Sequence, residues 1–186
     1  MSIKGLFTFI KYKRRVKSGK CTADDLFELG YCYDQGVGTR IDKYTGFKYY
    51  EMAAEKGHGR AQNAVGFGYE YGEGVTKDLQ QAVKWYKMSA TNGCTKGKFS
   101  LGALYLLGEG VRRDTIEAFS LILDAAYQDN KEALQLLDIL AKRFHFNTQR
   151  VNGRYLPSDP VKAFTYLLQE AKKGNWEAKD VLDSIK

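Results

Sequence analysis

A spacing of 36 residues runs through the middle of this chain in six registers at once. Gly30, Gly66 and Gly102 keep it, as do Gly36, Gly72 and Gly108, and Gly38, Gly74 and Gly110. Asp42, Asp78 and Asp114 follow the same step, then Tyr33, Tyr69 and Tyr105, then Ala54, Ala90 and Ala126. Six registers in phase mark a structural unit repeated in tandem. A unit of this size cannot bury its own apolar face, so neighbouring copies have to stack.

Each copy reads as two helices. The first runs through LFELGYCYDQG, AQNAVGFGYEYG and KGKFSLGALYLLG, with apolar residues near i, i+4 and i+8. It stops at Gly36, Gly72 or Gly108, because glycine enters the left-handed conformation that ends a helix at no steric cost. After a tight loop, Asp42, Asp78 or Asp114 stands as the N-cap of the second helix, its carboxylate accepting from unpaired backbone N–H groups. Asp114 and Glu117 have the capping-box spacing. The second helix carries Tyr49-Tyr50, Trp85-Tyr86 or Leu121-Ile122, followed by Ala53-Ala54, Ser89-Ala90 or Ala125-Ala126. Bulky residues followed by small ones let helices approach closely and interlock.

A fourth copy is stretched. The step from Ala118 to Ala163 is 45 residues, so nine are inserted, within FHFNTQRVNGRYLPS. Asp159 and Pro160 restart the second helix, proline being suited to the first helical position, and Gly174 closes the copy. The expected organisation is a basic segment over residues 1–20 and units over about 23–58, 59–94, 95–130 and 131–174. The insertion falls near 144–158 and a terminal cap helix over 175–186.

Charge is unevenly placed. The net charge is +7, yet residues 1–20 hold seven of the 29 basic residues and none of the 22 acidic ones, leaving the remainder neutral. A capping helix is one reading of this segment, since aligning Gly19 with Gly57 puts Tyr12 on Tyr50. Another is an amphipathic helix on an anionic membrane surface, with Ile3, Leu6, Phe7 and Ile10 opposite the lysines. Nucleic-acid contact is a third, and the neutral body argues against it.

Cys21, Cys32 and Cys94 form no CxxC pair and lie far from His58 and His145, so no metal site is expected, and the thiols suit a reducing cytoplasm. The N-terminus places apolar residues before basic ones, the reverse of an export signal, and no apolar run is long enough for a span. GxG recurs in step at Gly36, Gly72 and Gly108, but after helices, whereas a nucleotide loop follows a strand. Two scattered histidines support no Ser/His/Asp or Cys/His set, and His145 reads as a loop residue. Neither catalysis nor a cofactor is expected.

The stretch Ala61 to Gly93 carries Ala-x-x-x-Val-Gly-x-x-Tyr-x-x-Gly-x-Gly-Val-x-x-Asp-x-x-x-Ala-x-x-Trp-Tyr-x-x-Ser-Ala-x-x-Gly. This pattern resembles the Sel-one-like repeat (SLR) family, a relative of the tetratricopeptide repeat, and the resemblance covers residues about 23–174. Asp138, where the family has glycine, and Asp129, where it closes on glycine, depart from it. The resemblance implies an all-α, right-handed superhelical α-solenoid of antiparallel helix pairs that works as an adaptor or scaffold. Some secreted members pair cysteines within each repeat; such pairs are missing here.

By the same analogy the first helices line a concave groove that holds a peptide or protein partner. One row of groove positions is Phe27, Asn63, Phe99 and Gln135, the next Tyr31, Phe67, Ala103 and Ile139, the third Gln35, Tyr71, Leu107 and Arg143. Lys142 and Arg143 make one end basic, which suits an acidic stretch of the partner. Phe27 and Phe99 admit a second reading, as rings packed between neighbouring copies.

Overall fold

The computed structural model describes residues 3–185. The helices are α1 (Ile3–Lys17), α2 (Ala23–Gln35), α3 (Lys43–Glu55), α4 (Gly59–Tyr71), α5 (Leu79–Thr91) and α6 (Thr95–Leu107). They continue with α7 (Thr115–Tyr127), α8 (Lys131–Arg143), α9 (Pro160–Lys172) and α10 (Trp176–Ser184). The fold is therefore all-α and built of successive helix pairs, as the repeat required. None of these helices is long and apolar enough to cross a membrane.

Local chemistry sets the helix ends. Asp42 accepts from the Thr45 N–H at 3.0 Å, Asp78 from those of Gln80 and Gln81 at 2.9 and 3.0 Å, and Asp114 from that of Glu117 at 3.0 Å. Each such cap is worth about 1 kcal/mol. The reciprocal bond of a capping box is found at Thr22 and Asp25. Gly36 and Gly72 close α2 and α4 in the left-handed conformation.

The chain divides into two compact units, one through Gly97 and one from Lys98. In the first, α2 packs on α3 and α4 on α5, while α1 lies against α2 through buried Phe9 and half-buried Tyr12 and Val16. Its core holds Leu26, Phe47, Tyr50, Ala53, Ala61 and Val65. Close approach is enforced at Gly30 and Gly66, where a β-carbon would stand 2.8 and 2.7 Å from the rings of Tyr50 and Tyr86. Glycine within a helix costs about 1 kcal/mol relative to alanine, and the tyrosine ring seated on its bare backbone offsets this.

The second unit is aliphatic and phenylalanine-rich. Phe119 stacks on Phe164 at 4.8 Å and Phe146 meets the same ring at 4.8 Å, all three fully buried. Phe146 belongs to the insertion, which forms a short 3₁₀ turn and a hairpin of β1 (Arg150–Val151) and β2 (Arg154–Tyr155). Asn152 and Gly153 both have positive φ at the turn, the conformation Asn-Gly pairs favour. Val151 and Leu156 join the core, so the insertion is a packed part of this unit. Arg113 anchors α10 by donating to the carbonyls of Asp183 and Ile185 at 3.1 and 2.6 Å.

Candidate functional site

The first helices of the first unit, α2 and α4, carry the aromatic residues expected to face a partner. Tyr31, Phe67 and Tyr71 are 45%, 44% and 59% exposed, and the rings of Phe67 and Tyr71 meet at 4.5 Å. Large aromatic rings left in water on one surface are a costly arrangement unless something covers them. Phe27 differs, at 7% exposure. Its ring packs on Tyr50 and stacks on His58 at 4.7 Å, while the guanidinium of Arg60 lies over it at 4.6 Å. Of the two readings of Phe27, an open groove position is therefore corrected in favour of a packed ring: Tyr50 and His58 of its own copy and Arg60 of the next roof it over.

Beside Phe67 lies a cavity of about 340 Å³. Gln35 from α2 and Asn63 from α4 line it, joined by Asp34, Lys43, Tyr50 and Glu73. Lys43 donates to Asp34 Oδ1 at 2.8 Å and pairs with Glu73 Oε2 at 2.9 Å. These two carboxylates, Asp34 first, hold its ammonium above the ordinary lysine range. Asp34 Oδ2 accepts from Gln35 Nε2 at 2.7 Å and from the Tyr50 hydroxyl at 3.4 Å. Burial, then the nearby Asp34 charge, pushes the Tyr50 phenol far above its usual value. The neutral phenol is thus a fixed donor, and the carboxylate it holds has a set position.

Sequence reasoning missed Asp34, Lys43, Tyr50 and Glu73. A signal was present: Tyr86 donates to Glu70 at 2.6 Å, and this pair lies 36 residues beyond Tyr50 and Asp34. A buried tyrosine needs a partner for its hydroxyl, and a carboxylate repeated at the same step supplies one.

In the second unit Phe99 is half-buried against the core, whereas Leu107 and Ile139 are exposed. Lys142 and Arg143 are exposed too; Lys142 pairs with Asp138 at 2.7 Å, and the Arg143 guanidinium lies 5.8 Å from the Phe144 ring. A cavity of about 400 Å³ stands beside Lys142 and His145. Among the described residues no group of three or more His, Cys, Asp or Glu side chains could hold a metal ion.

Comparison with known proteins places these features in context. A family model for the Sel1 repeat matches residues 23–58, 59–94, 96–130 and 151–175. Among solved structures the chain is similar to a Sel1 repeat protein from Oxalobacter formigenes, with 24% identity and a TM-score of 0.69. That match covers 88% of this chain and 63% of the Oxalobacter protein. A protective antigen of uropathogenic Escherichia coli with an SLR fold, c5321, is 27% identical over 94% of this chain and 35% of its own, with a TM-score of 0.66. Helicobacter pylori cysteine rich protein B is 23% identical at a TM-score of 0.55, over 69% of this chain and 96% of its own. The chain thus spans less than two thirds of the first two relatives. No curated protein matches it at a significant level.

Proposed function

Because this chain belongs to the Sel1 repeat family, whose members generally serve as protein–protein interaction scaffolds, we propose that it is a non-catalytic adaptor binding a peptide segment of another protein. The segment lies on the face made by α2 and α4, its apolar side chains covering Tyr31, Phe67 and Tyr71. The observation that carries this reading is the exposure of those three rings, with Phe67 lining a polar cavity in which Asp34 is held by Gln35, Lys43 and Tyr50. Aromatic residues in such settings supply most of the energy of an interface. A half-exposed ring that becomes covered contributes roughly 1 kcal/mol, and three together account for a useful part of a micromolar affinity. Gln35 and Asn63 supply polar contacts for the backbone of the bound segment. In the second unit, Leu107 with Lys142 and Arg143 offers an apolar contact and positive charge for an acidic stretch.

The test is the variant Y31A/F67A/Y71A, captured beside the wild type from an extract of the native cell. Partner capture is expected to be lost while the melting temperature is kept, because none of the three rings is buried. Undiminished capture would remove this face from consideration.

One further observation favours a second reading. Ile3, Leu6 and Phe7 are exposed on α1, next to Lys4 and Lys11. This ridge fits an anionic bilayer surface, with α1 as a tether. I3S/F7S is expected to lose flotation with phosphatidylserine vesicles; equal flotation of variant and wild type rejects the tether.

A further inference from the structure

Charge separates the partners that the α2–α4 face can accept. Helix α2 carries four carboxylates, Asp24, Asp25, Glu28 and Asp34, and no basic residue. Asp25 is buried against Arg15 at 3.1 Å and Asp24 pairs with His58 at 3.2 Å. Asp34 lines the cavity beside Phe47, Tyr50 and Phe67. Glu73 lines the same cavity and brings a second carboxylate. Lys43 is the cation that these groups share, and it is already bonded to both Asp34 and Glu73.

We propose that the cavity takes a lysine or arginine side chain of the bound segment, next to an apolar residue that covers Phe67 and Tyr71. This rests on the peptide-binding reading above and adds the chemistry of the peptide. Two carboxylates against one ammonium leave an excess of negative charge in a site walled on one side by rings. A cation entering it gains charge-assisted hydrogen bonds from the carboxylates and attraction to the aromatic faces, both strengthened as water is excluded. An acidic side chain entering the same place would meet Asp34 and Glu73, whose shared cation, Lys43, is already bonded to both. The carboxylate positions are set beforehand, since Asp34 is held by Tyr50, Gln35 and Lys43, so little ordering is needed on binding.

The probe is a random dodecapeptide library displayed on phage and selected on the full chain, with counter-selection on Y31A/F67A/Y71A. Selected peptides are expected to carry Lys or Arg beside a large apolar residue. A synthetic copy of the leading peptide is expected to bind Glu73→Gln about tenfold more weakly and Glu73→Lys weaker still, and to weaken as salt rises. Glu73 is 42% exposed at its side chain, so these variants keep the fold, which a circular dichroism melt checks. Selection of peptides without a cation, indifferent to Glu73, overturns the cationic assignment and leaves the aromatic face standing. Failure to select any peptide that survives counter-selection overturns both.

Discussion

The two units solve one packing problem with different chemistry. In the first, Gly30 and Gly66 receive the rings of Tyr50 and Tyr86, whose hydroxyls donate to Asp34 and Glu70. In the second, Gly102 occupies the same register and receives Ile122, while Leu106 stands where the carboxylate was. The glycine is kept because the helix approach is kept: an added β-carbon would lie 2.8 Å from Ile122 and 3.0 Å from the Ala118 carbonyl. The tyrosine and the carboxylate are exchanged as a pair, since a buried phenol without an acceptor, or a buried carboxylate without a donor, costs about 1–3 kcal/mol. The polar version leaves carboxylates standing beside open aromatic rings, and the apolar version does not. That difference is why the candidate site lies in the first unit.

Several substitutions would break or sharpen this contrast. The largest effect is expected from Phe119→Ala, which empties the centre of the second unit's phenylalanine stack and should lower stability by roughly 3–5 kcal/mol in a urea titration. If each unit is a cooperative block, hydrogen exchange should rise throughout residues 98–185 more than in α2 and α3. Gly66→Ala comes next, with an expected loss of about 2 kcal/mol, because the added carbon meets the Tyr86 ring at 2.7 Å and outweighs the gain in helix propensity.

Glu70→Leu alone should cost about 1–3 kcal/mol by removing the carboxylate to which the Tyr86 hydroxyl donates at 2.6 Å. The double variant Glu70→Leu/Tyr86→Ile copies the Leu106–Ile122 pair and should recover much of that loss, a coupling read from a double-mutant cycle. Strict additivity would end the claim that the two positions are exchanged together. A smaller effect, about 1 kcal/mol, is expected for Gly153→Ala, whose φ of +72° at the hairpin tip suits glycine.

The smallest effect at neutral pH belongs to Tyr50→Phe, and its mark is the pH dependence. Burial first, then nearby charge, raises the Tyr50 phenol in the folded chain, so the folded state holds that proton more tightly. The corresponding stability is present below about pH 10, where the unfolded phenol is still protonated, and falls as pH rises further. Tyr33, Tyr49 and Tyr69 are raised in the same direction by burial, so the wild type should lose stability between about pH 10 and 12. Tyr50→Phe should flatten part of that slope; an unchanged slope would put the alkaline sensitivity elsewhere.

Much of the fold was legible because it is written in short-range chemistry. The caps at Asp42, Asp78 and Asp114, and the stops at Gly36 and Gly72, act within a few residues of their own position. The insertion was harder. Val-Asn-Gly-Arg carries a hairpin signal, yet nothing in the spacing revealed that Phe146, Val151 and Leu156 turn inward to meet Phe164 and its neighbours. The site was legible only in part. Tyr31, Phe67 and Tyr71 could be named from their registers, whereas Lys43 has Leu79 and Thr115 at the equivalent positions and so stood outside the pattern.

The amino-acid sequence by itself determined that helices form, where they begin and end, and that copies recur at 36 residues. Those properties follow from backbone hydrogen bonds and side-chain volumes acting along the chain. Tertiary structure alone decided that Phe27 is roofed by Tyr50, His58 and Arg60 while Phe67 stays open, and that one lysine bridges two carboxylates from different loops and helices. Exposure and ion pairing depend on which atoms arrive from other helices and loops, and that is a property of distance in space, not of position along the chain.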